Sequence, residues 1–162
     1  MKNSTQRLIS AMLTVCMILV LLPAVAFAAE SVGYVDHQGI AKTCDDYTII
    51  TADTDTWGSD GSTVWYVADT TVTVTDRISV SGNVNLLLKD GVTLKAGDSI
   101  TINEGAVLTI YAQNGQTGKL EAKLKSLAEA YYNGIYVSSN GAVILNGGTL
   151  TAQGCCNGRA AI

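Results

Sequence analysis

Residues 84–112, VNLLLKDGVTLKAGDSITINEGAVLTIYA, consist of short alternating apolar runs, each cut off by a turn sequence. Val84, Leu86 and Leu88 form one run; Val92, Leu94 and Ala96 the next; then Ile100 and Ile102; then Ala106, Leu108, Ile110 and Ala112. Successive side chains of an extended chain point to opposite sides, so an apolar residue at every second position gives a strand one core-facing side. The same period begins earlier, at Val72 and Val74 and at Ile78 and Val80. Between the runs stand SGN from 81, KDG from 89, AGD from 96, NEG from 103 and QNGQTG from 113. Glycine adopts positive φ at such turns without steric cost, and Asn or Asp tolerates it. The chain is therefore expected to be all-β.

Strands this short fit a sandwich of antiparallel hairpins, but internal similarity favours a solenoid. The piece LLKDGVTLKAGDSITI, residues 87–102, and VILNGGTLTAQGCCNGRAAI, residues 143–162, share an apolar pair, a polar residue, a glycine and then x-Leu-x-Ala. Shorter echoes occur at GAVLTIYA (105–112), GKLEA (118–122) and GAVILNGG (141–148). One unit recurring with variable inserts is how stacked coils look in sequence. In a parallel β-helix Val, Ile and Leu stack on like residues inside each coil while small residues turn the corners. Asn83, Asn85, Asn103 and Asn146 are candidates for corner ladders, the alternative being solvent-exposed turn residues.

The two ends differ from this middle. Lys2 and Arg7 precede an apolar run from Leu8 to Val25, and Ala26-Phe27-Ala28 supplies a small-residue cleavage site, so residues 1–28 are expected to be a secretory signal peptide rather than a membrane anchor. Of ten Lys and Arg, Lys2 and Arg7 leave with it while all 14 Asp and Glu stay, giving the mature chain eight cations against fourteen anions, a net charge of −6. That balance excludes nucleic acid as a natural partner. After signal removal no membrane association is expected either. Residues 29–63 have little periodicity and are expected to cap the coils that run from 64 to 162. Within the coils, EAKLKSLAEAYY at 121–132 places Leu124, Leu127 and Tyr131, with Leu120 just before them, at helical spacing, pairs Glu121 with Lys125 and Lys125 with Glu129, and stops at Asn133-Gly134. A short helical insertion is expected there. Cys44, Cys155 and Cys156 remain after export; a disulfide from Cys44 to one of the pair and free thiols both fit.

The motifs WYVADTTVTVTDRISVSGNVNLLLKDGVTLKA, GAVLTIYAQNGQTGKLEA and GAVILNGGTLTAQG, spanning roughly residues 65–154, resemble secreted bacterial surface proteins with right-handed parallel β-helix repeats, several of them described as carbohydrate-binding domains. The resemblance implies a right-handed solenoid, secreted or held at the cell surface. Relatives tend to continue through further coils, whereas here the sequence ends within a new repeat, so the helix is expected to be truncated at its C-terminus.

Glycoside hydrolysis needs two carboxylates about 5–9.5 Å apart across a cleft. Asp76, Asp90, Asp98 and Glu104 fall at turns, where solvated acids belong by default, and His37 has no evident nucleophile or metal partner. Lyase chemistry needs a positioned base; Arg77, Lys89 and Lys95 are present but nothing in the sequence clusters them. The loop from Asp53 to Gly61 carries Asp53, Asp55 and Asp60, oxygen ligands suited to calcium, though off the spacing of the established calcium loop; an acidic solvated loop is the alternative. Tyr111 and Tyr136 alternate with apolar neighbours and so point outward, where they could form an aromatic platform for pyranose rings, with Tyr131 and Tyr132 at its rim. The expected function is thus a non-enzymatic, carbohydrate-binding or adhesive module with no required cofactor beyond possible calcium, its partner an extracellular polysaccharide or cell-wall glycan. A fragment of a β-helical polysaccharide lyase or glycosidase, and a structural stalk of a larger surface protein, are the alternatives.

Overall fold

The computed structural model describes residues 30–123, 133–154 and 162, and among these the chain is all-β, with fifteen strands. Residues 31–162 cluster as one unit. It begins with an antiparallel hairpin, β1 (Val32–Val35) with β2 (Ala41–Cys44), in which Val32 faces Cys44 and Val35 faces Ala41. Its turn is closed by Asp36, whose Oδ1 accepts the N–H groups of Gln38 and Ile40, both at 2.9 Å. Those two donors, the Ile40 amide first, hold the Asp36 carboxyl below its ordinary pKa.

Every later strand is parallel to its neighbours. Sheet I runs β14 (Ala142–Leu145), β11 (Val107–Ala112), β8 (Asn83–Leu88), β5 (Thr63–Ala68) and β3 (Thr48–Ile49). Sheet II runs β15 (Thr149–Gln153), β12 (Lys119–Lys123), β9 (Thr93–Ala96) and β6 (Val72–Val74). Sheet III runs β13 (Ile135–Val137), β10 (Ile100–Ile102), β7 (Ile78–Val80) and β4 (Thr56–Trp57). From β5 to β15 the chain visits sheets I, II and III in strict rotation, so each strand pairs with the strand three places on.

That rotation turns the sequence period into continuous apolar rows. Ile78, Ile100 and Ile135 are in register, as are Val80, Ile102 and Val137; Leu94, Leu120 and Leu150; and Val84, Leu108 and Val143. Ile78, Ile100, Ile102, Leu94, Leu108 and Leu120 are all fully buried in one core. Each such side chain contributes roughly 1.5–3 kcal/mol relative to leaving it in water. The first full rung is closed from above by Ile50 and Trp57, the indole N–H of Trp57 donating to Thr54 O at 3.0 Å and its ring stacking 5.8 Å from Tyr66. At the last strands burial falls away: Val137, Val143, Leu150 and Ala152 are partly buried, and Leu145 is 49% exposed.

Turns of neighbouring rungs lie in contact, which explains one glycine in particular. Gly82 has φ 66°, and a β-carbon there would run into the Ser59 carbonyl oxygen. The flanking amides are fixed at the same level, Ser81 N–H on Trp57 O at 2.9 Å and Asn83 N–H on Ser62 O at 2.8 Å. Of the four asparagines, Asn103 bridges rungs, its Nδ2 donating to Ser79 Oγ at 3.1 Å and Ser81 Oγ at 2.9 Å. Asn83 and Asn85 instead stand opposite Thr63, Trp65, Val107 and Thr109.

The expected helix over 121–132 needs correction at its start. Glu121, Ala122 and Lys123 are the end of β12, with Glu121 between Lys95 and Thr151 and Ala122 between Ala96 and Ala152. Leu120 and Ala122 are buried in the strand alternation, and two parallel partners outweigh the helical preference of a Lys, Glu and Ala-rich segment. Residues 124–132 lie outside the described residues, as do residues 1–28, where a signal peptide is expected, and Cys155 and Cys156. Cys44 is buried, its thiol 3.6 Å from Asp46 O, and burial raises its pKa.

Candidate functional site

The outer face of sheet III carries one row of polar side chains that ends in an aromatic ring. Thr56, Ser79, Thr101 and Tyr136 follow one another in register across β4, β7, β10 and β13. Period 2 sends them outward because Ile78, Val80, Ile100 and Ile102 beside them point into the core. Tyr136 is 42% exposed.

The corner that leads into sheet III completes a cleft of about 250 Å³ lined by Arg77, Ser99, Thr101, Asn133 and Tyr136. Its floor is fixed by main-chain bonds between rungs: Ile78 N–H to Ser99 O at 3.2 Å, Ser99 N–H to Lys123 O at 3.0 Å, and Ile100 N–H to Gly134 O at 2.9 Å. Ser99 is 4% exposed and has φ 68°, a left-handed conformation that costs a non-glycine residue roughly 1–2 kcal/mol. Strain of this kind persists where surrounding contacts over-determine it, and it gathers at binding sites. Arg77 Nη2 lies 3.9 Å from Asp98 Oδ2, with both side chains about a third exposed. From the described residues the cleft therefore offers one ring face, one guanidinium, three hydroxyls and one carboxamide.

Tyr111 and Tyr136 are not brought together. Tyr111 lies in sheet I and Tyr136 in sheet III, so no single strand face carries both. Tyr111 instead joins a ring cluster beneath the β1–β2 hairpin, 5.0 Å from Tyr34 and 5.1 Å from Trp65, with Tyr34 and Trp65 4.9 Å apart. These rings pack over Val32, Val67 and Leu87, and the resulting desolvation raises the Tyr34 pKa. Tyr131 and Tyr132 lie outside the described residues.

The acidic loop does not gather its carboxylates. Asp53 and Asp60 are exposed, while Asp55 Oδ1 accepts the Thr56 hydroxyl at 3.1 Å. Among the described residues no three of His, Cys, Asp and Glu converge as a metal-holding group. The loop's geometry is explained by Trp57, which it seats in the core, and by Tyr66, whose hydroxyl accepts Gly58 N–H at 3.2 Å. Asp90 is likewise committed to its neighbours, accepting Gly115 N–H at 2.9 Å and both the N–H and hydroxyl of Thr117 at 3.1 Å.

Two further clefts lie beside the hairpin, one of about 310 Å³ including Tyr34, Lys42, Asp90 and Gln113, the other of about 180 Å³ including Asp46, Tyr47 and Trp65. Sequence reasoning noticed Tyr136 and Arg77 separately but missed their meeting with Ser99 and Asn133. The repeat offset was the available signal, since Arg77, Ser99 and Gly134 each immediately precede the aligned isoleucines Ile78, Ile100 and Ile135. Comparison with family models, curated proteins and solved structures returns no match.

Proposed function

We propose that this chain is an exported carbohydrate-binding module built as a right-handed parallel β-helix, non-enzymatic, acting outside the cell on polysaccharide or cell-wall glycan. The observation that carries the reading is the exposed ring of Tyr136 standing over a polar cleft. A pyranose ring has one apolar face of C–H groups and a rim of hydroxyls. The first packs on a tyrosine face, and the second matches the hydroxyls of Ser99 and Thr101 and the amide of Asn133. Tyr136 stands on β13, whose main chain is paired with β10, so little ordering of its backbone is required on binding.

The test is co-sedimentation of the full chain with insoluble plant and bacterial polysaccharides, in calcium and in chelator. Retention on at least one polymer is expected, and Tyr136→Ala should weaken it roughly tenfold, about 1.4 kcal/mol, while Tyr111→Phe leaves it unchanged. No retention of a folded sample would overturn the reading in favour of a structural stalk.

A further inference from the structure

The smaller cleft beside the hairpin, about 180 Å³, combines a carboxylate, an indole and two hydroxyls, from Asp46, Trp65, Thr48 and Thr63, with Val64 and Tyr47 completing the wall. Trp65 stands on β5, which has a partner strand on either side, β3 and β8. Its ring is half-buried: Tyr34 and Tyr111 pack on it at 4.9 and 5.1 Å, and what they leave uncovered lines the cleft. Asp46 is exposed and follows the hairpin directly; the Cys44 thiol approaches its main-chain oxygen at 3.6 Å, so that contact does not use its carboxylate. The surroundings share its sign. Residues 31–69 carry seven aspartates against one cation, Lys42, whereas the described residues from 70 onward balance five acids against five cations. Lys42 itself lines the other cleft beside the hairpin, together with Asp90.

Resting on the glycan reading above for the ligand being a sugar, we infer that this cleft is a second subsite and takes a protonated amino sugar, its ammonium between the Asp46 carboxylate and the open part of the Trp65 ring and its hydroxyls on Thr48 and Thr63. An ammonium makes short charge-assisted bonds to a carboxylate. It is also drawn to an aromatic face within about 6 Å, most strongly to that of tryptophan. The cleft is smaller than the roughly 300–1,000 Å³ that holds a drug-sized ligand, which suits one sugar ring of a longer chain. The surplus of aspartates in the same segment attracts a cationic polymer from a distance, while Asp46 and Trp65 hold one of its rings. An N-acetylated amino sugar has the same ring and the same remaining hydroxyls without the charge, so this site discriminates between the two forms.

Trp57 and Trp65 are the two tryptophans of the chain, and Trp57 is fully buried, so a ligand in this cleft reports itself as a change in indole emission through Trp65. The experiment is a fluorescence titration of the full chain, produced in an exporting host, with a glucosamine hexamer and with its fully N-acetylated counterpart. At low salt and mildly acidic pH the amino form should change the emission and bind at least about tenfold tighter, and the advantage should shrink as salt is raised. Asp46→Asn, at an exposed position, should bring the two forms within about threefold, whereas Asp53→Asn, an equally exposed aspartate outside the cleft, should leave the advantage intact. Equal affinity for the two hexamers, an advantage lost as fully in Asp53→Asn as in Asp46→Asn, or binding without a change in emission overturns the amino-sugar inference and leaves the glycan reading, which polymer retention and its loss in Tyr136→Ala test separately. Binding of neither hexamer overturns the inference as well, and the glycan reading falls with it only when no polymer retains the protein.

Discussion

Asp90 shows what one side chain does in this architecture. Its carboxylate gathers three donors from the next rung, and the Thr117 amide, followed by the Gly115 amide and the Thr117 hydroxyl, holds its pKa below the ordinary value. A carboxyl whose folded pKa is depressed adds stability that is complete above the unfolded pKa and is lost as pH falls through the folded one. Asp90 therefore supports the fold at pH 5 and above and ceases to do so in strong acid. Asp90→Asn is expected to lower Tm by a few degrees at neutral pH, with the gap to the natural chain closing as the pH drops below about 4. Thermal melts of both proteins across that range check this, and a gap independent of pH would show that the charge is not the source.

The hairpin is the element whose role was least apparent beforehand. Its Tyr34 lies against Trp65 and Tyr111, so the aromatic surface of sheet I is already occupied by the chain itself. Tyr34→Ala is expected to cost about 1–3 kcal/mol, as a half-buried ring in a three-ring cluster. Amide exchange should then accelerate across Val32–Val35 and Ala41–Cys44 while Ile100–Ile102 keeps its protection. Uniform acceleration would mean that the hairpin is part of the same cooperative unit as the sheets. At this scale β12 also shows how pattern reading goes astray: Glu121 belongs to a helical charge pattern through Lys125 in the sequence and to a strand by the alternation of Lys119-Leu120-Glu121-Ala122-Lys123. The flanking strands β9 and β15 decide between them by supplying hydrogen bonds along both edges.

At the scale of the molecule, burial among the described residues falls toward the last strands of the stack. Ile102 is fully buried between Val80 and Val137, whereas Leu145 is 49% exposed on β14. Ile102→Ala is expected to cost about 2–5 kcal/mol and Leu145→Ala less than about 1 kcal/mol. Urea unfolding of the two variants measures the difference, and comparable losses would mean that the last strands are as well covered in solution as the middle ones. Alternation at Val84, Leu86 and Leu88, at Ile100 and Ile102, and at Leu108 and Ile110 determined by itself that these segments are strands with one buried face, because side-chain direction in an extended chain is a local property. The turn glycines were legible for the same reason, as at Gly82 and Gly91, where φ is positive. Which strands become neighbours is not local. Only the stacking of one rung on the next placed Tyr111 under a hairpin and set Tyr136 beside Arg77 and Ser99, since a cleft formed by successive rungs depends on how much chain each turn of the stack consumes.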